Sequence, residues 1–432
     1  MKDQDQLKDS ISNWLQEHRT EGTKLLQRLV QAQSTQGNEA GAQTIVIETL
    51  TKMGLVLDVW DPDGKELQTH PDFASSKVHF DGSPNVVGIL KGTGDGRSII
   101  LNGHIDVVPA GDSGQWEDDP YSGKIVDGKM YGRGVTDMKG GNVSLLLAIQ
   151  AIQALSISLK GDVIFESVIE EESGGTGTLA SIVRGYKADA AIIPEPTNMK
   201  IFPKQQGSMW FRIYIKGRSA HGGTRYEGIS AIEKSMMVIN HLSDLEKIRN
   251  SRITDPLYKS IPIPIPINIG KIEGGDWPSS VPDLVKLEGR IGVSPNETMD
   301  EAKRELEQWI ENIGEVDEWF VSAPPTVEWF GARWHPGSIK TDHELVASLT
   351  ENYQLVLREE PIVEASPWGT DGGLLTNVGK VPTIVFGPGV TEKAHFPNEY
   401  IELDNVFLTA EIIALTLIDW CGVGNVSINK KG

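Results

Sequence analysis

The sequence is poor in cysteine and in positive charge. Its 432 residues include one cysteine, Cys421, so a disulfide within the chain is excluded. Cys421 follows Trp420 at the end of an apolar segment, and we interpret it as a small buried hydrophobic residue rather than a nucleophile. Such sparing use of cysteine is typical of a reducing compartment, and we expect the protein in the cytoplasm.

The shortage of positive charge excludes whole classes of partner. The chain has 40 Lys and Arg residues against 60 Asp and Glu residues, a formal net charge of −20. Nucleic acid and anionic membrane surfaces would repel such a protein. No stretch approaches about 18 uninterrupted apolar residues, so we expect no membrane span, and the first residues, MKDQDQLKDS, do not resemble a signal peptide. A small-molecule partner remains.

The pattern of apolar residues predicts two domains, as the length of the chain also suggests. In residues 1–206 and 326–432, short apolar runs alternate with helical patterns, which predicts an α/β domain with helices on both faces of a sheet. Residues 207–325 instead predict the order β-α-β-β-α-β of a ferredoxin-like unit, inserted in the larger domain. Residues 61–84 are polar and rich in turn formers, and we expect a surface excursion there. The predicted buried strands of the larger domain are NVVGIL, RSIILNGH, GDVIFESVI, ADAAIIP and VPTIVFG.

Histidines and carboxylates follow these strands, at the edge of the sheet where sites are built in open α/β folds. Three adjacent glutamates repel one another unless a cation neutralises them, and imidazoles with carboxylates and no thiolate suit a catalytic zinc site. A polar edge without a metal is the structural alternative. The residues concerned are His104, Asp106, Asp137, Glu170, Glu171, Glu172, Glu195 and His395.

Six motifs resemble, in the same order, the co-catalytic zinc hydrolase family of acetylornithine deacetylase, succinyl-diaminopimelate desuccinylase, aminoacylase and the glutamate-releasing carboxypeptidases. They extend from about residue 85 to 405. The resemblance implies a zinc-peptidase-like α/β catalytic domain with an inserted ferredoxin-like lid or dimerisation domain. The motifs are GHIDVVP, GRGVTDMKGG, EEESGG, PEPTN, GRSAHGG, and the late TDGG…GPG…AHFPNEY.

The same resemblance implies roles for single residues. Glu171 would be the general base, and Asp106 would orient His104 by accepting a hydrogen bond from its ring. Two divalent ions are implied, zinc by default with cobalt or manganese as alternatives, and Asp137 would bridge them. The implied metal ligands are His104, Asp137, Glu172, Glu195 and His395.

The inserted domain would contribute to substrate binding. His221 in GRSAHGG would stabilise the oxyanion, acting on the partner's site in a homodimer; a turn histidine is the alternative. Arg290 in LEGRIGV best matches an arginine that binds a substrate carboxylate, and a surface arginine is an equal alternative. Where the family often has Asn-x-x-Pro, this chain has Ser279-Ser280-Val281-Pro282. Residues expected to line the site in the larger domain are Thr370, Asp371, Gly372 and the turn Gly387-Pro388-Gly389.

Three functions remain open at this point. The first is a metal-dependent amidohydrolase that removes an acyl group from an N-acyl amino acid or a small N-acyl amine. The second is a metal dipeptidase or carboxypeptidase with the same metal core. The third, more remote, is a non-catalytic binding protein, which would have lost a ligand or Glu171; both are present in the sequence.

Overall fold

The computed structural model describes residues 2–424, and it contains two compact units. Within this range the larger unit consists of the residues up to Lys204, Gly337–Glu364 and the residues from Thr370 onward. The smaller unit consists of Gln205–Pro336 and Ala365–Gly369. It extends beyond the predicted insertion at 207–325 because the strand over Thr326–Trp334 pairs with the strand over Gly207–Lys216.

The helices are numbered in chain order. They are α1 (Lys2–Glu17), α2 (Arg19–Gln31), α3 (Ala40–Lys52), α4 (Gly64–Leu67), α5 (Gly140–Ala154), α6 (Thr176–Arg184), α7 (Ala231–Ser251), α8 (Met299–Glu311), α9 (Trp319–Ser322), α10 (Glu344–Leu357), α11 (Gly372–Asn377) and α12 (Leu403–Cys421).

The strands are numbered in the same way. They are β1 (Val56–Trp60), β2 (Asn85–Leu90), β3 (Ile99–His104), β4 (Lys124–Val126), β5 (Lys129–Tyr131), β6 (Val163–Val168), β7 (Ala190–Ile193), β8 (Ile201–Gln205), β9 (Gly207–Lys216), β10 (Ala220–His221), β11 (Ile267–Gly274), β12 (Ser280–Val281), β13 (Leu284–Val293), β14 (Thr326–Trp334), β15 (Gly337–Ser338), β16 (Val363–Ser366), β17 (Thr383–Val385) and β18 (Tyr400–Glu402).

The main sheet of the larger unit has the order β1-β2-β6-β3-β7-β17-β8-β15. Its centre is parallel, because β3 pairs in parallel with β6 and β7, and β17 pairs in parallel with β7. The five predicted buried strands are confirmed as β2, β3, β6, β7 and β17, and every residue of β3 and β6 is buried. Apolar runs without alternation are typical of such central strands, which have cover on both faces.

The excursion at residues 61–84 is anchored rather than loose. Asp63 caps the short helix α4 by accepting backbone N–H groups of Lys65 and Glu66. Leu67, only 3% exposed, packs in an apolar cluster with Leu179 and Leu374. Although the segment is mostly polar, the apolar contact of Leu67 fixes its position on the larger unit.

The smaller unit has the predicted β-α-β-β-α-β order, with an antiparallel sheet arranged β11-β13-β9-β14. Strand β9 alternates, so that Phe211, Ile213 and Ile215 are buried while the residues between them are not. This period of two is the pattern of a strand with one face on a core. The core is completed by apolar residues of α7 and α8, and the fold class expected from the sequence is confirmed.

Candidate metal centre and active site

The candidate site lies at the carboxyl ends of four adjacent parallel strands. His104 is the last residue of β3, Glu172 follows β6, Glu195 follows β7, and His395 follows β17. Asp137 comes from the turn that precedes α5. Because β6, β3, β7 and β17 are neighbours in the sheet in that order, the segments that follow them converge, as the position of sites in open α/β sheets predicts.

Asp137 lies between the two histidines. Its Oδ1 is 3.2 Å from Nε2 of His104, and its Oδ2 is 3.0 Å from Nε2 of His395. Glu195 Oε1 lies 3.8 Å from the His104 ring, and Glu172 Oε1 lies 3.1 Å from the His395 ring. Asp137 thus has the disposition of a bridging carboxylate, with one histidine and one glutamate on each side.

These donor groups fit divalent metal ions. One possible ligand atom from each of His104, Glu171 and Glu195 falls within a 4.8 Å cluster, and so does one from each of His104, Asp137 and Glu172. Imidazole nitrogen and carboxylate oxygen without thiolate suit zinc in a catalytic site, and cobalt and manganese accept the same donors. A buried group of like charges of this kind is stabilised by a cation.

The electrostatics of the site show the same excess of negative charge. Burial alone would lower the pKa of His104 and of His395, but the adjacent carboxylates reverse the direction. Asp137 and Glu195 raise the pKa of His104 well above its usual range, and Asp137 and Glu172 raise the pKa of His395 to about 11. Burial raises the pKa of Glu195 to about 7. Each histidine therefore lies beside two carboxylates, whose combined negative charge exceeds the single positive charge of a protonated imidazole.

Asp106 orients the site through the backbone. Nδ1 of His104 lies 2.9 Å from the backbone oxygen of Asp106, whereas the nearest carboxylate oxygen of Asp106 is 3.7 Å away. The carboxylate instead accepts the backbone N–H groups of Glu171 and Glu172, each at 3.2 Å. The expected hydrogen bond between ring and carboxylate is thus replaced by one between ring and carbonyl, because the carboxylate of Asp106 is turned to the N–H groups of Glu171 and Glu172.

The three consecutive glutamates have three environments. Glu170 accepts hydrogen bonds from Lys77 Nζ at 3.0 Å, Gln36 Nε2 at 3.0 Å and Ser173 Oγ at 2.5 Å. The cation beside Glu170 is therefore a lysine of the anchored excursion, not a metal. Glu171 is 7% exposed, and burial, with the charge of Asp371 next, raises its pKa well above the usual range.

A buried ion pair that the sequence reasoning missed connects Asp137 and His395. Glu399 accepts the backbone N–H groups of Gly134, Thr136 and Asp137 at 2.9–3.2 Å. Arg133 donates to Glu399 at 2.7 Å and to the backbone oxygen of His395 at 3.3 Å. Arg133 and Glu399 belong to GRGVTDMKGG and AHFPNEY, and their opposite charges in two site motifs were the available signal.

The predicted lining residues of the larger unit are buried, and Asp371 and Gly387 differ in what they contact. Asp371 accepts a hydrogen bond from Thr178 Oγ1 at 2.7 Å, and burial raises its pKa to about 6. The backbone N–H of Gly387 donates to Thr197 Oγ1 at 3.1 Å. A Cβ at Gly387 would meet the Pro194 carbonyl oxygen at 2.3 Å, and glycine is needed there for close packing beside Glu195.

Two more of these predicted lining residues make local backbone contacts. Thr370 is 1% exposed, and its Oγ1 accepts the backbone N–H of Gly372 at 2.9 Å. Gly389 packs closely as well, because a Cβ there would meet the Thr136 carbonyl oxygen at 2.4 Å. Both residues therefore shape the segments that follow β16 and β17.

The smaller unit carries the other two predicted site residues. His221 is exposed, and its Nδ1 accepts the backbone N–H of Gly223 at 3.0 Å, which leaves Nε2 as a hydrogen-bond donor when the ring is neutral. Arg290 lies on β13, and burial lowers the pKa of its guanidinium. Its Nε and Nη2 are buried without a hydrogen-bond partner among residues 2–424.

Cys421 is a buried residue, as its apolar context in the sequence predicts. Cys421 is 1% exposed, and burial raises the pKa of its thiol to about 12, as is typical of a thiol in apolar surroundings. Among the described residues no helix combines the length and the apolar composition that a membrane crossing needs.

Comparisons with known proteins support the motif resemblance. The model of peptidase family M20/M25/M40 matches residues 100–419. The chain is 33% identical to an N-formyl-4-amino-5-aminomethyl-2-methylpyrimidine deformylase of Bacillus subtilis, over 95% of this chain and 97% of the relative. It is 30% identical to an acetylornithine deacetylase of Pectobacterium atrosepticum, over 79% of this chain and 85% of the relative.

The fold also matches solved structures. A dinuclear metal-binding peptidase of family M20 from Bacillus subtilis has a TM-score of 0.63 with 17% identity, over 94% of this chain and 99% of the other. At this identity the likeness concerns the fold, whereas the family match covers all the predicted metal ligands. The chain therefore belongs to peptidase family M20/M25/M40.

Proposed function

We propose that the protein is a metal-dependent amidohydrolase that removes a short acyl group from a small N-acyl amine. The observation that carries the proposal is Asp137 placed between His104 and His395, with Glu171 beside the cluster. The activities in the names of its relatives, a deformylase and a deacetylase, are both hydrolyses of an N-acyl amine. The formamide of an aminomethylpyrimidine is thus the first substrate to test.

Two divalent ions, zinc by default, fit the donor groups. His104 and Glu195 would hold one, Glu172 and His395 the other, and Asp137 both. When bound, such ions acidify a water molecule and polarise the carbonyl of the substrate. Arg133 and Glu399 would keep the backbone of Asp137 and His395 in place.

Glu171 would move the proton in this reaction. Its backbone is fixed by Asp106, and its carboxylate lies beside His104 and Glu195 without being needed as one of the five ligands. A carboxylate in this position can take a proton from the attacking water and deliver it to the leaving amine, which must depart protonated.

His221 would donate from Nε2 to the oxyanion. We further propose that the protein is a homodimer in which this histidine serves the partner's site. The support is the exposed apolar surface of the smaller unit, where Ile272 on the edge strand β11 is 53% exposed and Met236 on α7 is 62% exposed. Exposed edges and apolar patches of this kind are usually covered by a partner.

Arg290, Thr370 and the Gly387 turn would shape the substrate site. The unpartnered guanidinium of Arg290 suits a carboxylate or carbonyl oxygen of the substrate. Arg290→Ala should therefore raise KM more than it lowers kcat, and by a larger factor for substrates that carry a carboxylate.

The test is a substrate panel with the zinc-loaded protein. N-formyl-4-amino-5-aminomethyl-2-methylpyrimidine, N-acetylornithine and a dipeptide should be compared by release of the free amine. We expect the formamide to be hydrolysed at least about 10-fold faster than the dipeptide, a discrimination of the size that pocket contacts provide. Chelator and Glu171→Gln should abolish the signal. Faster hydrolysis of the dipeptide would favour the dipeptidase alternative.

A further inference from the structure

The smaller unit contains a cleft of about 780 Å³ beside His221. One wall is the pair of short strands in which His221 lies opposite Ser280. The other wall is the turn Gly274-Gly275-Asp276-Trp277, which connects β11 to β12. The cleft is thus built from residues of one compact unit and includes the histidine assigned to the reaction.

Trp277 presents an aromatic surface in this cleft. Its side chain is 69% exposed, while its backbone oxygen accepts the N–H of Ser280 at 3.0 Å and so fixes the turn. No aromatic ring or cation of the described chain covers the indole. A large aromatic group held open to solvent beside a proposed active-site residue suits stacking on a flat ligand.

The charge of the cleft limits the ligand further. Glu273 is balanced by Lys271 at 2.5 Å and by Lys286 at 2.8 Å. Asp283 accepts the hydroxyl of Ser219 at 2.6 Å. Asp276, next to Trp277, is exposed and has no partner in the part of the chain that the structure describes. A carboxylate ligand would be repelled here, whereas an amino group would find an acceptor.

We propose that this cleft binds the amine half of the substrate, as an aromatic ring that carries amino groups. Trp277 stacks on the ring, and Asp276 accepts a hydrogen bond from an amino substituent. The inference deepens the proposed function and rests on it, because it names the class of leaving amine. It makes Trp277 and Asp276 specificity residues rather than catalytic residues.

The experiment measures binding by calorimetry to the full-length, zinc-loaded protein. The probes are 4-amino-5-aminomethyl-2-methylpyrimidine and ornithine, an amine without a ring. Trp277→Leu should weaken binding of the pyrimidine about 3- to 10-fold, the range expected for a lost aromatic stack, and leave ornithine unchanged. Trp277→Phe keeps an aromatic face and should restore most of the affinity. Tyr226→Leu, which removes another exposed aromatic residue outside the cleft lining, is the control.

A second comparison tests Asp276. Asp276→Asn should weaken binding of the amino-bearing pyrimidine and not of 2,5-dimethylpyrimidine, which lacks amino groups. In kinetics with the formamide, Trp277→Leu and Asp276→Asn should raise KM and leave kcat unchanged. The inference is overturned if the wild-type protein does not bind the pyrimidine, or if Trp277→Leu leaves its affinity unchanged or weakens ornithine equally.

Failure of this inference and failure of the proposed function give different results. If the formamide is hydrolysed but binding of the pyrimidine amine does not depend on Trp277, the proposed role of the cleft is wrong and the proposed deacylase activity stands. Binding of the pyrimidine amine that depends on Trp277, without turnover of any N-acyl amine, would keep the cleft as a binding site and overturn the deacylase.

Discussion

The adjacent residues Glu170, Glu171 and Glu172 contact different partners because a short turn directs their side chains apart. Glu171–Ser173 form a single 3₁₀ turn after β6. Glu172 contacts His395, while Glu171 lies beside His104 and Glu195. Glu170, with φ of 59°, is turned to Lys77 and Gln36.

Substitution of the two glutamates of the site should separate catalysis from metal binding. Glu171→Gln should keep the fold and the metal content, while turnover falls at least about 10²-fold, the scale for loss of a positioned proton-transfer group. Glu172→Gln should lower the metal content, because an amide is a weaker ligand. Elemental analysis and kinetics on both variants are the measurement. The reverse pattern would show that the two roles are exchanged.

Glu399 should act on metal affinity without touching the metal. Glu399→Gln removes the charge that Arg133 and the backbone N–H groups around Asp137 share. We expect metal binding to weaken about 10- to 100-fold, the range for residues that support ligands, measured by competition with a chelating dye. Glu402→Gln, an exposed glutamate nearby in the chain, is the matched control. Unchanged affinity with a lower melting temperature would make Glu399 purely structural.

At the scale of elements, the central strands contain a buried series of hydrogen-bonded polar side chains as well as apolar residues. Asn102 on β3 donates to Glu166 on β6 and to Thr178 on α6, each at 2.9 Å, and Thr178 donates to Asp371. Burial raises the pKa of Glu166 to about 7, although the hydrogen bond from Asn102 opposes the shift. The two strands are thus linked across the sheet to the TDGG segment.

This strand carboxyl predicts a pH dependence of stability. Between about pH 4.5, the value for the unfolded chain, and about pH 7, the folded state binds more protons, so the free energy of unfolding should fall as pH rises through this window. Glu166→Gln should remove that fall and gain at most about 3 kcal/mol relative to wild type between pH 5 and pH 8. Urea unfolding with chelator present is the measurement, with exposed Glu351→Gln as control. An equal difference at both pH values would contradict the assignment.

At the scale of the whole molecule, the proposed role of His221 at a partner's site depends on a homodimer. The proposed dimer through the smaller unit rests on the motif resemblance and on the exposed apolar residues Ile272 and Met236. The dimer would also cover the edge strand β11, and two-fold assembly is the commonest way to do so.

Mixing inactive variants should reveal the partner's contribution. His221→Ala should lower turnover about 10²- to 10³-fold, the usual loss for one oxyanion donor, with metal content intact. Subunit exchange between His221→Ala and Glu171→Gln should restore part of the activity, because a mixed dimer has one site with both groups. Activity assays before and after exchange, with size-exclusion chromatography, are the measurement. No recovery despite proven exchange, or a monomer in solution, would refute action in trans.

The sequence by itself determined the strands, the ferredoxin-like insertion and the identity of the clustered residues. Local apolar periodicity specifies strands and helices, and six motifs in order identify the family. His104, Glu172, Glu195 and His395 were predictable as neighbours because side chains that follow adjacent parallel strands meet at one edge of the sheet. Asp137, which lies in the turn before α5, was assigned to the same site by the motif resemblance.

Only the tertiary structure decided which partner each polar group has. The His104 ring contacts the carbonyl of Asp106 rather than its carboxylate, and the N–H of Gly387 donates to Thr197. Lys77 donates to Glu170, and Glu399 accepts the backbone N–H of Asp137. Each contact joins residues whose relative positions depend on a turn or on a long separation in the chain. Hydrogen-bond geometry of a few tenths of an ångström decides such pairings, and no pattern of residue types along the sequence contains that distance.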